Sequence, residues 1–457
     1  MPGLLLDVAT VLTASLALMG VREDIGARAQ AVGIVATDIS TRVSDRPGDG
    51  VQTALWLNVS ADLGASVAVD LNSLRSVSGL TLVAGLSKLP TAEISAFVAK
   101  YPEQVDTLLA NPPAAARVSA LWNSFTATSR ASLVSASPRL VGNLDGVPLK
   151  ARGEANMRYL TSSLADVKSR LATSLPSDER ARATTELAVL TQVQQAVRTR
   201  ENGSARTLVL LDLTDGGRAA IAIGNPDTAT FVSYLIPGMN YNVVEQIVNW
   251  SNTAEDLFDE QRAVLAETDG SADADADAQT VATVAWIGYE TPTLFTVGGL
   301  DNATRGAELL ENDWLGLQSS RGLDRPRLSV FAHSYGSTVA LATLARGTVR
   351  ADALVLVGSP GSPVQSVDSL DVPKQNVYVG EADWDPAVDS AFFGADPGDS
   401  SFGAKALGVS GATDRLTGDQ LAGSFGHNDY FTPGSESLRN MALIGTDNAE
   451  LVTTGSE

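Results

Sequence analysis

The sequence predicts an α/β fold, a mostly parallel sheet with helices on both faces, preceded by a mainly helical region. Three observations carry this prediction. The hydrophobic period changes from helical to strand-like near residue 205, and from there apolar runs alternate with helical stretches. One of those runs ends in a serine bracketed by small residues, at a strand-to-helix junction. At 457 residues the chain is also too long for one ordinary compact domain. We therefore divide it into a helical region over 1–200 and an α/β domain over 201–457.

The helical region is rich in Ala, Leu, Ser and Val, punctuated by turns such as Asp45-Arg46-Pro47-Gly48, Leu89-Pro90-Thr91 and Asn111-Pro112-Pro113. Its clearest helix carries Met157, Leu160, Leu164, Val167 and Leu171 at spacings of three and four, and stops at Leu175-Pro176. Ser177 suits an N-cap, with Asp178 and Glu179 in a first turn whose dipole favours carboxylates. Ala183, Leu187, Leu190 and Val197 continue the stripe, so the two stretches read as a helical hairpin packed on a neighbour.

Two β-rich runs, 207–213 and 219–223, flank Asp215-Gly216-Gly217 and read as an antiparallel hairpin. The run 231–236 ends at Pro237-Gly238, and a helix follows through Val244, Ile247, Val248 and Leu257. Strands at 281–287, 328–332, 354–357 and 377–379 alternate with helices over roughly 304–317 and from Gly336. Such alternation builds a parallel sheet covered on both faces. The aspartates of 267–277 superficially suggest a calcium loop. A register starting at Asp273 puts Ala278 where glycine is needed and Val284 where the bidentate glutamate belongs, so a solvated acidic loop is the better reading.

A net charge of −21 disfavours nucleic acid and anionic membranes as partners. The absence of cysteine removes disulfides and thiolate chemistry, and two histidines are too few for an ordinary zinc site, so neither metal nor cofactor is expected. The N-terminal 20 residues are apolar, but no Lys or Arg precedes Arg22 and Asp7 interrupts them. A buried or partner-facing helix is preferred there to a signal peptide or anchor, and a cytoplasmic location to a secreted or envelope-associated one.

The chemistry centres on Ala332-His333-Ser334-Tyr335-Gly336. A nucleophile held on a strained strand-to-helix turn needs small residues two before and two after it, to keep backbones from clashing. Ser334 is thus the candidate nucleophile, and the Tyr335 N–H, at the helix start, a candidate oxyanion donor. The second donor is expected after the third strand, at Gly238, Met239 or Asn240. The base must be a histidine. His333 adjoins the serine and should point away from it, which leaves His427, in a loop before the last helix. The acid belongs after the strand at 377–379, where Asp383 and Asp385 both qualify; the Asp385-Pro386 step favours Asp385. Between acid and base, Phe392, Phe393, Phe402 and Phe425 either shape a substrate pocket or pack as ordinary core.

Four stretches then carry a family resemblance. They are Trp122-Asn123-Ser124-Phe125 leading to Gly142-Asn143-Leu144-Asp145-Gly146-Val147-Pro148; Ile236-Pro237-Gly238-Met239; the pentapeptide around Ser334; and Gly426-His427-Asn428-Asp429-Tyr430 with Gly434-Ser435-Glu436-Ser437-Leu438. Together they resemble the actinobacterial α/β-hydrolase family of unassigned function that carries a long helical region before the hydrolase fold. The resemblance runs from about residue 115 to the end, and implies Ser334 as nucleophile, His427 as base and Asp385 as acid. Ala332 departs from the family's more usual glycine. The expectation is a serine hydrolase of esterase or lipase type, acting on a small or lipid-like acyl substrate. Its rivals are an acyltransferase using the same residues, or a partner-binding protein with a vestigial hydrolase domain. Membrane contact through the apolar N-terminus is the less favoured reading.

Overall fold

A computed structural model describes residues 74–201, 203–269, 279–293, 298–388 and 390–454. The apolar N-terminal stretch and most of the acidic loop lie outside these residues. The chain falls into two compact units, Met1–Val77 and Ser78–Glu457; of the first, only residues 74–77 are described. Among the described residues no helix is long and apolar enough to cross a membrane.

The second unit opens with helices α1 (Gly79–Leu86), α2 (Thr91–Lys100), α3 (Pro102–Ala110), α4 (Ala115–Ser124), α5 (Ala127–Ala136) and α6 (Pro138–Gly142). The predicted helical hairpin is α7 (Leu149–Leu171) and α8 (Ser177–Ala196). Ser177 is the first residue of α8 and Pro176 occupies the cap, so the expected Ser177 cap does not form. Proline's fixed φ and missing N–H suit a helix entrance, which explains the one-residue shift. Met157 is exposed, and the buried stripe of α7 narrows to Leu160, Leu164 and Val167.

The sheet has eight strands, β1 (Arg206–Asp212), β2 (Arg218–Gly224), β3 (Phe231–Ile236), β4 (Val281–Ile287), β5 (Arg327–His333), β6 (Ala353–Val357), β7 (Val377–Gly380) and the short β8 (Lys405–Ala406). Their spatial order is β1-β2-β4-β3-β5-β6-β7-β8. β2 pairs antiparallel with β1 and β4, and the other pairs are parallel. Three long connections carry the helices α9 (Val243–Asp269), α10 (Asp301–Arg321) and α11 (Tyr335–Leu344), and α12 (Glu436–Gly445) follows the sheet. Because α9 runs on to Asp269, the first residues of the expected acidic loop are helical.

Side chains alternate across the sheet, so successive residues of one strand serve two cores. On one face Leu235, Phe331 and Val355 pack with Trp250 and Leu257 of α9, Met441 of α12 and the leucines of α7 and α8. On the other, Tyr234, Trp286, Val330 and Leu356 pack with Leu310 and Trp314 of α10 and Val339 of α11. Fully burying each such side chain contributes roughly 1.5–3 kcal/mol, which is what holds the layers together.

The early helices belong to this body. α7 lies against β1, where a Cβ on Gly153 would come within 2.3 Å of the Thr207 side chain. Asn156 Nδ2 donates to the Leu208 carbonyl at 3.1 Å, and Asn143 accepts from the Leu211 N–H at 3.0 Å. Arg152, fully buried on α7, pairs with Asp145 at 2.8 Å and with Asp313 of α10 at 3.3 Å. Much of the motif 142–148 is thus spent on joining helices to sheet.

The strand order reverses around β3, whose neighbours are β4 and β5. α9 covers one face and α10 the other, so the C-terminal ends of β3 and β5 form the topological switch point of the sheet. Ile236 stands opposite Ala332, which sets Pro237-Gly238 beside Ser334.

Candidate active site

Ser334 lies between β5 and α11 with φ 55° and ψ −131°, in a region that L-residues rarely enter. Its neighbours explain how this is tolerated. A Cβ on Gly336 would lie 2.5 Å from the Ile236 carbonyl oxygen and 2.6 Å from that of Pro237. A Cβ on Gly238 would lie 2.5 Å from the Ser334 Cβ. Both glycines are therefore required by close approach. The Ser334 N–H donates to Val357 O at 2.9 Å, and Ser337 Oγ donates to Ser334 O at 2.6 Å, which fixes the turn from both sides.

His427 Nε2 is 2.8 Å from Ser334 Oγ, and His427 Nδ1 is 2.8 Å from Asp385 Oδ1. The structure thus brings Ser334, His427 and Asp385 into one hydrogen-bonded line. Asp383 stands apart: its side chain is exposed, while its carbonyl accepts from the Gly426 N–H at 2.8 Å and so ties down the histidine loop.

Asp385 is buried, and burial alone would raise its pKa. Hydrogen bonds from His427, from Tyr430 Oη at 2.6 Å and from the Ala387 N–H at 2.9 Å outweigh burial and hold the carboxyl below its usual range. Tyr430 has the opposite fate. Burial and the adjacent carboxylate push its phenol up, so it remains a donor at any ordinary pH. Gly358 closes the arrangement, since a Cβ there would meet Asp385 Oδ2 at 2.8 Å and the imidazole of His427 at 3.1 Å. Sequence reasoning assigned no role to Tyr430 or Gly358, although Tyr430 lies in a quoted motif. A tyrosine three residues after a histidine carries no signal of which carboxylate it will meet.

His333 follows Phe331 by two positions and so faces α9 and α12, among Tyr241, Tyr430 and Phe431. Its Nε2 lies 2.7 Å from the His427 carbonyl oxygen, which can only accept, so Nε2 carries the proton. Burial, reinforced by the neighbouring His427, lowers its pKa to about 4. A neutral His333 therefore anchors the backbone of His427.

Tyr335 is the first residue of α11, where an N–H has no partner within the helix. Its hydroxyl donates to Gly299 O at 2.8 Å and accepts from the Ala303 N–H at 3.1 Å, tying the turn to α10. On the other side, Asn240 is corrected as a backbone donor: its N–H donates to Pro292 O at 2.9 Å, and its φ of 63° turns the chain away. That leaves Met239 N–H, beside Gly238, as the candidate. Of the four phenylalanines, Phe402 is core, Phe393 packs edge-on to Tyr335 at 5.3 Å, and Phe392 and Phe425 are exposed.

An eight-stranded sheet in this order, with a strained serine at its switch point, is the architecture of an α/β hydrolase. Residues 212–395 match the family model described as alpha/beta hydrolase. The match includes Ser334 and Asp385 and ends before His427. The uncharacterized protein Rv2079 of Mycobacterium tuberculosis is 30% identical over 379 residues, covering 73% of this chain and 56% of the relative. The uncharacterized protein Mb0988c of Mycobacterium bovis is 30% identical over 176 residues, covering 38% of this chain and 64% of that protein. The chain thus spans about half the length of the first of these relatives, and the resemblance to an actinobacterial family holds. Among solved structures, a predicted CIB-like hydrolase from Thermoplasma acidophilum aligns at 15% identity and a TM-score of 0.32, over 54% of this chain and 100% of that one. Carboxyl esterase 2 of Tuber melanosporum aligns at 12% identity and a TM-score of 0.33, over 56% and 90%.

Proposed function

We propose that the protein is a serine hydrolase that cleaves an ester or related acyl bond through an acyl-enzyme. The observation that carries this is the unbroken line from Ser334 Oγ through His427 to Asp385, both links at 2.8 Å, ending on a serine in strained backbone. In the reaction Ser334 Oγ attacks the acyl carbon and His427 Nε2 takes its proton. The oxyanion is held by the N–H groups of Tyr335 and Met239, whose dipoles are fixed before charge develops. Collapse expels the alcohol, which takes the proton from His427. Water then attacks the acyl-enzyme with His427 as base, releasing the acid and restoring Ser334. Asp385 holds the Nδ1–H tautomer and stabilises the imidazolium, and His333 and Tyr430 keep base and acid in place.

The test is labelling of the whole chain with a small fluorophosphonate, with the modified residue located by mass spectrometry. Modification at Ser334, abolished in Ser334→Ala and His427→Ala, is the expected result. Those variants should lose roughly 10⁶-fold in kcat on any ester that is turned over. A folded protein that resists labelling would overturn the proposal.

A further inference from the structure

Five large apolar side chains stand exposed among the described residues, Met157, Leu323, Trp384, Phe392 and Phe425. Three of them lie in or beside the segment from acid to base, and two of these, Trp384 at 83% and Phe425 at 61% exposure, face each other. Trp384 immediately precedes Asp385, and Phe425 comes two residues before His427. Their rings are 6.5 Å apart, above a backbone bridge that joins Asp383 to Phe425.

The backbone at Trp384 makes this exposure informative. Its φ is 63°, whereas Asp, Asn or Gly are the usual residues there and a bulky side chain is an outlier. Strain of this kind persists where the surroundings over-determine it, and it clusters at ligand clamps. Here the buried residues on either side, Ala382 and Asp385, lock the turn and direct the indole to solvent. An indole held outward against both its hydrophobicity and its backbone preference needs an apolar partner.

We infer that Trp384 and Phe425 form a stacking platform for the apolar alcohol portion of the ester, the leaving-group side of the substrate. The inference rests on the serine-hydrolase reading above. The side follows from chemistry: the departing oxygen must take its proton from His427 Nε2, so the alcohol lies on the side of the loops that carry acid and base. The acyl side falls instead to the elbow, where Phe393 packs on Tyr335. With a chain charge of −21, an uncharged apolar alcohol is the fitting class and an anionic one is not.

The experiment varies one side of the ester at a time, comparing methyl, butyl and octyl acetates with the methyl esters of acetic, butyric and octanoic acids. In Trp384→Ala/Phe425→Ala the ratio of kcat/KM for octyl over methyl acetate should fall roughly tenfold, since a platform open on one side covers only part of each methylene. The ratio along the acyl series should hold, and Trp384→Phe should restore most of the alcohol preference. Trp384→Gly, which suits the backbone, should keep the melting temperature of the parent while losing the ratio. An unchanged alcohol ratio, a fall confined to the acyl series, or an equal fall on every ester would each overturn the inference. A second readout needs no turnover. Among the described tryptophans only Trp384 is exposed, so octanol added to Ser334→Ala should blue-shift its emission, and Trp384→Phe should abolish the shift. A blue-shift in a protein that neither labels nor turns over would retire the hydrolase reading and keep the platform. Labelling and turnover without the shift would do the reverse.

Discussion

The two halves of the site are built by different means. Ser334 is placed by backbone sterics: β3 and β5 lie in register, Gly336 and Gly238 permit contact at the carbonyl oxygens and the serine itself, and two cores clamp the strands. Asp385 and His427 sit instead on loops beyond β7, and side-chain hydrogen bonds place them: Tyr430 and the Ala387 N–H on the acid, His333 on the base. The elbow is therefore sensitive to volume, whereas the acid–base side is sensitive to hydrogen bonding and to pH.

The sharpest break between the halves is at the acid. Asp385→Asn should cost roughly 10⁴-fold in kcat by stabilising the wrong tautomer of His427, while Asp383→Asn stays within about twofold. Steady-state rates on one short ester decide this, and equal losses would show that the loop backbone, not the buried carboxylate, matters. Protonation of His333 should come next. Its pKa is about 4 folded against 6.5 as the ordinary value, so between these the unfolded chain binds more protons. Stability is full above pH 6.5 and lost as pH falls toward 4, by at most about 3 kcal/mol. His427, Asp385, Tyr241 and Tyr430 face the same ring, so the test is the difference between the parent and His333→Gln in urea unfolding at neutral and acidic pH. The excess acid loss should belong to the parent alone. Tyr430→Phe removes two hydrogen bonds, the one donated to the buried Asp385 carboxylate and the one accepted from the Ala382 N–H, and should cost at least about 1.5–3 kcal/mol, read from the shift in urea midpoint. Gly336→Ala should cost about 1–3 kcal/mol by overpacking and abolish fluorophosphonate labelling. An unaltered labelling rate there would mean the elbow is not volume-limited.

The same contrast governs what could be read from sequence. The elbow was legible because steric rules act on neighbours: small residues two either side of Ser334, an apolar strand before it and a helix after. His427 followed by elimination. Asp385 against Asp383 stayed open, because two carboxylates two residues apart obey the same local rules and only burial under Tyr430 separates them. Asn240 is a fair donor by its position after β3, but the carbonyl of Pro292, some fifty residues on, takes its N–H. Nothing local announces such partners. The role of 142–148 was illegible for the same reason, since Asn143 meets Leu211 across 68 positions and Asp145 shares Arg152 with the distant Asp313.

That last cluster has a consequence for how the chain can be handled. Cutting at residue 200, where periodicity changes, would strip α7 from the outermost strand. The carbonyl of Leu208 and the N–H of Leu211 would lose Asn156 and Asn143, and Asp313 its guanidinium. An uncovered strand edge is a template on which another chain can pair, and the freed fragment would sooner self-associate than stand alone. In this sense the early helices serve as an edge cover for the sheet that bears Ser334.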